Sequence, residues 1–263
     1  MTHLPVTQTV LDAYIYLWQE RQYLWQLTLP PLVILGILGA LVQWGTISSI
    51  ETMNGASYVI INRSGWTTFL FLVMLFTNIW AWLSYSVAWH RSYLVRGEGK
   101  NILKAYTWNG RQLKFFFTSI KIFLLVLPAL LIFPFLVILQ TPGILLLIPG
   151  VIIFGYINAR LLLWFPAVSV DQNLDIKSLW RLSDENGWRL LIIVVCISLP
   201  LITVSLTAVF LTGPLGSFTH PPQSLSLTLL RNLIFEFLSF MGLAASISAL
   251  SISYKFLMER KNF

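Results

Sequence analysis

The chain has 263 residues, 57% of them hydrophobic and only 10% charged, with a formal net charge of +7. About a quarter of the residues of a soluble domain are charged, so this composition excludes an aqueous globular fold. What remains is an integral membrane protein, in which the positive charge has a topological meaning and does not point to nucleic acid.

The first segment places Val10, Leu11, Tyr14, Leu17 and Trp18 at helical spacing around Asp12, Gln19 and Glu20, the pattern of a helix lying in the membrane interface. Pro30 and Pro31 follow at the entry to the first apolar run. Six such runs, roughly Leu24–Trp44, Thr67–Trp89, Leu113–Leu139, Ile144–Leu163, Leu190–Leu211 and Leu229–Ile252, reach the about 17 to 25 residues that a hydrocarbon core demands. The fold class is therefore expected to be all-α and polytopic: six transmembrane helices arranged as three hairpins, with interfacial amphipathic helices, in a single membrane domain over residues 1–263.

Between the first two spans, Ile47 to Thr52 and Tyr58 to Ile61 flank Asn54-Gly55, a favoured hairpin dipeptide, and predict a two-stranded ribbon. The second inward connection offers Ile102, Leu103, Tyr106 and Trp108 before Asn109, Gly110 and Arg111. A tight turn is expected at Gln140, Thr141, Pro142 and Gly143. The third inward segment offers Ile176, Leu179 and Trp180, with Asp175 as N-cap, before Asn186, Gly187, Trp188 and Arg189. Gly213, Pro214, Gly216, Pro221 and Pro222 mark the last outward loop. The recurrence of interfacial segment, Asn-Gly, Arg and span is expected either from two-span repeats at about 1–95, 96–170 and 171–263 or from the shared need of any interfacial helix feeding a span for aromatics, a turn and an arginine.

Of the 17 Lys and Arg residues, 15 fall at the termini and the second and fourth connections, counting adjoining helix ends, and only Arg63 and Arg231 fall on the other side. The positive-inside rule puts both termini in the cytoplasm. Seven of the eleven Trp residues (Trp18, Trp25, Trp89, Trp108, Trp164, Trp180, Trp188) map to that boundary, and Trp44 and Trp66 to the outer one. Trp80 and Trp82 fall inside the second span as lipid-facing or packing groups. No basic segment with an apolar core and cleavage site precedes the first span, which is expected to act as the targeting signal. The single cysteine, Cys196, excludes an intrachain disulfide. Asn62, Arg63 and Ser64 form a glycosylation sequon that has meaning only in a eukaryotic secretory membrane.

Ionisable groups within spans are costly, so each is a functional candidate. On the sixth span Glu236 shares a face with Asn232, Ser239, Gly242, Ser246, Ala249 and Ser253, small and polar residues that favour helix contact. Glu236 is expected to be buried and paired with Arg231 or with Asn78, which lies with Ala81, Tyr85 and Ala88 on the second span. The structural role competes with a proton or substrate relay. A second cluster, His90, Arg91, Arg96 and Arg160, lies at the cytoplasmic boundary beside Trp89; arginines there can clamp an anionic lipid headgroup, or simply snorkel. With His3, His90 and His220 the only histidines, there is no metal-ligand spacing, nucleophile elbow or phosphate loop, so no catalytic residue, metal or cofactor is assigned. Asp184 and Glu185 read as a solvated face.

Three stretches carry a resemblance: Ala88-Trp89-His90-Arg91 with Gly97-Glu98; Ala159-Arg160-Leu161 with Pro166-Ala167-Val168; and Ser178-Leu179-Trp180-Arg181-Leu182 with Asn186-Gly187-Trp188-Arg189-Leu190. Over about Ala88 to Leu191 the chain resembles uncharacterised alphaproteobacterial six-helix inner-membrane proteins. More distantly it is similar to YciC-type membrane proteins and to the membrane domain fused to some glycerophosphodiester phosphodiesterases. The resemblance implies a bacterial inner-membrane location and no reaction. The expected function is that of a non-enzymatic integral membrane protein, an accessory or structural subunit of a membrane complex in contact with anionic lipid of the cytoplasmic leaflet. The alternative is a transporter or binding protein for a lipid or small anionic molecule.

Overall fold

The computed structural model describes residues 3–53, 56–95, 101–138, 141–212 and 225–261. In chain order they form α1 (Val6–Gln19), α2 (Arg21–Trp44), β1 (Thr46–Met53), β2 (Ala56–Arg63), α3 (Gly65–Leu94), α4 (Ile102–Tyr106), α5 (Gly110–Ile138), α6 (Thr141–Leu161), α7 (Trp164–Ser169), α8 (Ile176–Leu182), α9 (Gly187–Thr212) and α10 (Leu225–Lys261). Helices α2, α3, α5, α6, α9 and α10 carry the six apolar stretches long enough to cross a membrane. β1 and β2 pair antiparallel, with Thr46 opposite Arg63 and Met53 opposite Ala56. The Asn54-Gly55 dipeptide, Gln140 of the expected tight turn, Arg96 and most of the last outward loop lie outside the described residues.

Lipid is the solvent these helices are built for. Phe76, Leu131, Ile153 and Leu206 are all more than half exposed. Exposed Thr203, Thr207 and Ser239 each donate a hydroxyl proton to the carbonyl four residues back on their own helix, at 2.9 Å. Such back-bonding satisfies a hydroxyl that has no water to turn to. Pro30, Pro31, Pro149 and Pro200 lie inside helices, as bilayers tolerate. Pro200 has no N–H to offer the Cys196 carbonyl. One residue on, the Ile197 carbonyl accepts from the Tyr14 hydroxyl of α1 at 2.9 Å, and burial pushes that phenol above its ordinary range.

The short helices form because their first turns are capped. Asn101 accepts from the Lys104 N–H ahead of α4, and Asp175 from the Ser178 N–H ahead of α8. At α5, Asn109 accepts from the Arg111 N–H while the Gln112 side chain accepts from the Asn109 N–H, a reciprocal capping box. On α1 the small Thr9 and Ala13 face protein together with Leu17, and Leu11, Ile15 and Trp18 face outward.

The helices divide into two compact units, Met1–Arg21 with Leu83–Ser198 and Ala244–Phe263, and Gln22–Trp82 with Leu199–Leu243. In the first, the end of α3 packs on α10, where Ala244, Ala245, Ser248, Ala249 and Ser251 are all buried. Small residues allow two backbones to approach closely and add van der Waals contact. Helix α10 outruns the expected end at Ile252 because its last turns are amphipathic: Tyr254 and Leu257 are buried while Lys255 pairs outside with Glu259 at 3.9 Å. In the second unit, Gly36 of α2 lies so close to α10 that a Cβ there would stand 2.5 Å from Leu233 Cδ2.

Replacing Ala249 by Leu is expected to destabilise the protein by about 1 to 3 kcal/mol through overpacking. Glu236→Gln should cost less. Thermal unfolding in mild detergent ranks the two, and the reverse order would contradict the packing of α10 through its small residues.

Candidate functional site

Arg160, in the last turn of α6, is almost fully buried at 4% exposure. Its guanidinium spends donors in three directions. Nε donates to Ser183 Oγ at 2.7 Å, one terminal nitrogen to the Tyr156 hydroxyl at 3.0 Å, and the other to the Trp180 carbonyl. Ser183 passes its own proton to the Leu179 carbonyl. The guanidinium carbon lies 3.9 Å from the Trp180 ring centroid and 5.5 Å from that of Tyr156, a cation between two aromatic walls. Among the described residues no carboxylate pairs with it. A planar five-donor group suits such an all-neutral cage, which a lysine could not fill.

His90 is 1% exposed, with Nδ1 2.7 Å from Ser251 Oγ, and the neighbouring Trp89 Nε1 donates to Ser248 Oγ at 2.8 Å. Both side chains bind α10. Arg91 donates to the Ser169 carbonyl at 2.7 Å and lies 3.5 Å from Asp171 Oδ2, which also accepts from Arg111 Nε at 2.8 Å. Asp171 and Glu185 hold left-handed backbone angles, φ 62° each, just past the ends of α7 and α8. Glu185 in turn accepts from Arg260 at 2.9 Å.

Asn186 and Arg189 form a peptide clamp. The Leu4 N–H donates to Asn186 Oδ1 at 2.9 Å, and Arg189 donates to the Leu4 carbonyl at 3.0 Å. Leu4 is fully buried. The same Asn-Gly dipeptide that caps α5 therefore receives the N-terminal segment at α9.

In the other unit, Arg231 donates to Gln43 Oε1 at 2.8 Å and does not pair with Glu236. Glu236 is half-buried, with no hydrogen-bond partner among the described residues. Asn232 stands against Gly39, and its amide nitrogen and Arg231 Nε are buried without hydrogen-bond partners among the described residues. Asn78 is exposed where the helical wheel implied burial, although Ala81 and Tyr85 on the same face of α3 are buried. The four residues expected as one polar site are thus spread over separate contacts. In the second expected cluster, likewise, His90 and Arg160 point into the interior, and of its described members only Arg91 reaches an acid, Asp171.

Tyr156, Ser183, Ser248, Ser251 and Leu4 went unread in the sequence as parts of these networks. Spacing carries a partial signal for Tyr156, one turn before Arg160; the others are long-range. Among the described residues no group of three or more His, Cys, Asp or Glu is placed to hold a metal ion. Fold and site together define an all-α, multi-pass membrane protein whose polar interior is organised around arginine, serine and aromatic groups. Family models, curated proteins and solved structures contain no match to the chain.

Proposed function

We propose that the chain is a non-enzymatic subunit of a larger membrane complex, seated in a bacterial inner membrane with both termini in the cytoplasm. The observation that carries this reading is Asn78. It lies near the middle of α3, exposed, among exposed Phe69, Leu72, Leu75 and Phe76, with no hydrogen-bond partner among the described residues. An amide facing hydrocarbon is costly, and a polar or spanning segment of another chain relieves that cost by bonding across the helix contact. The engagement of His90, Arg160, Asn186 and Arg189 in internal bonds supports the same reading, since groups that could do chemistry are spent on architecture.

Purification in a mild detergent is expected to bring down a stoichiometric membrane partner, and Asn78→Leu to lose it without loss of thermal stability. A wild-type protein that elutes alone, or an Asn78→Leu variant that keeps its partner, would contradict the proposal. The orientation rests on the fifteen-to-two distribution of basic residues. In a Cys196-free background, Ser217→Cys should label from outside and Lys261→Cys from inside; labelling of both from one side would reject the topology.

A second reading, transport of a lipid or small anion, is favoured by one observation, the half-buried Glu236 without a described partner in a span. If it holds, Glu236→Gln leaves the protein folded yet abolishes pH-gradient-dependent uptake in reconstituted vesicles.

A further inference from the structure

An open cleft of about 940 Å³ lies in the first unit, lined by Lys121 of α5, Trp164 of α7, the connection Asn173 to Asp175, and Ile176, Lys177 and Trp180 of α8. Its charge is unbalanced. Two lysines face it against one carboxylate, and that carboxylate, Asp175, already accepts from the Ser178 N–H. Neither Lys121 nor Lys177 lies within 4 Å of a carboxylate oxygen among the described residues, although the Ser178 hydrogen bonds and, more weakly, the Lys177 charge hold the Asp175 carboxyl below its ordinary range.

Lys121 is the unusual member. It lies inside an apolar span, eleven residues beyond Gly110, roughly 16 Å along the helix. A lysine at that depth is costly unless its ammonium reaches water or an anion. Here the side chain is exposed, and Nζ turns into the cleft, 6.0 Å from the Trp164 ring centroid. Trp164 is buried and Trp180 is 38% exposed, so one indole closes the cleft wall and the other lies along its rim. Behind the Trp180 ring stands the Arg160 guanidinium, each of whose three nitrogens already makes one hydrogen bond and whose charge has no described counterion. Exposed Ile176 and intermediate Leu174 complete an otherwise apolar lining.

We propose that this cleft holds the headgroup of an anionic phospholipid, its phosphate between Lys121 and Lys177 and its glycerol against Trp164 and Trp180. Charge complementarity selects an anion; the apolar walls beside a spanning helix select one that carries acyl chains. A cation pair and indole rings at a membrane boundary are the groups that engage phosphate and glycerol together. The site is independent of the Asn78 contact and of Glu236.

The test uses the full chain in detergent, with retained lipid read by native mass spectrometry. Phosphatidylglycerol is expected to be retained about tenfold over phosphatidylcholine, and Lys121→Gln with Lys177→Gln to lower its retention about tenfold. Lys104→Gln with Lys114→Gln, which removes the same charge from exposed positions outside the cleft, should leave retention unchanged. Lys121→Arg with Lys177→Arg should retain the lipid as the wild type does. Equal retention of the two lipids, equal loss in both glutamine pairs, or loss in the arginine pair would overturn the proposal. So would displacement of phosphatidylglycerol by equimolar glycerol 3-phosphate, which would show a site for a soluble phosphate.

Discussion

Arg160→Met is expected to destabilise the protein by about 3 kcal/mol or more, among the largest single effects in the chain. Methionine matches the volume of the aliphatic stem but takes the guanidinium donor from the Ser183 hydroxyl, the Tyr156 hydroxyl and the Trp180 carbonyl, leaving that carbonyl only the longer bond from Ser183 Oγ at 3.3 Å. Each buried polar atom left unmade costs about 1 to 3 kcal/mol, and the cation stacked on Trp180 is lost as well. Arg160→Lys should recover only a small part, since one ammonium cannot reach three acceptors in a plane. Gly187→Ala probes the same cage from outside: its Cβ would stand 2.5 to 2.7 Å from the Tyr156 ring and hydroxyl, pressing the ring off Arg160 and against Trp188. Unfolding monitored in mixed detergent and SDS gives both values. An Arg160→Met variant within 1 kcal/mol of wild type would show that the cage contributes no stability.

Trp89→Ala should cost about 3 to 5 kcal/mol, the range for truncating a large buried aromatic. Its ring is fully buried, stacks on Tyr85 at 6.1 Å and meets Tyr16 edge-on at 5.7 Å. Its Nε1–H bond to Ser248 fixes α3 against α10. Trp89→Phe isolates the packing from the bond, and Ser248→Ala removes the acceptor alone. Both should lose only about 1 to 2 kcal/mol in the same assay. Equal losses in all three would place the whole effect in the hydrogen bond.

The spans were legible because a run of some twenty apolar residues has few other fates, and the cap Asp175 because it acts within three residues of itself. Helix ends were less so. Helix α10 continues past Ile252 since burial of Tyr254 and Leu257 depends on what lies opposite them. The partner of Arg231 was not legible for a related reason: a helical wheel ranks residues by chemistry around one axis, while the neighbour of Arg231 is Gln43, 188 residues away. Asn186 and Arg189 stood out as a motif, yet nothing in Asn-Gly-Trp-Arg announces that its partner is the peptide of Leu4.

The acids at Asp171 and Glu185 occupy backbone angles that glycine would adopt at lower cost, and each is held there by arginine. Both are about half exposed, with side-chain exposures of 43% and 47%. Attractions between such groups fade as ionic strength rises, over a screening length of about 10 Å at 0.1 M. The two corners after α7 and α8 are therefore fastened by bonds that salt loosens. The Leu4 clamp and the Arg160 cage lie beneath that reach. Between dilute buffer and strong brine, local opening at these corners and global unfolding would separate, giving the protein a periphery whose order is set by its ionic surroundings and an interior indifferent to them.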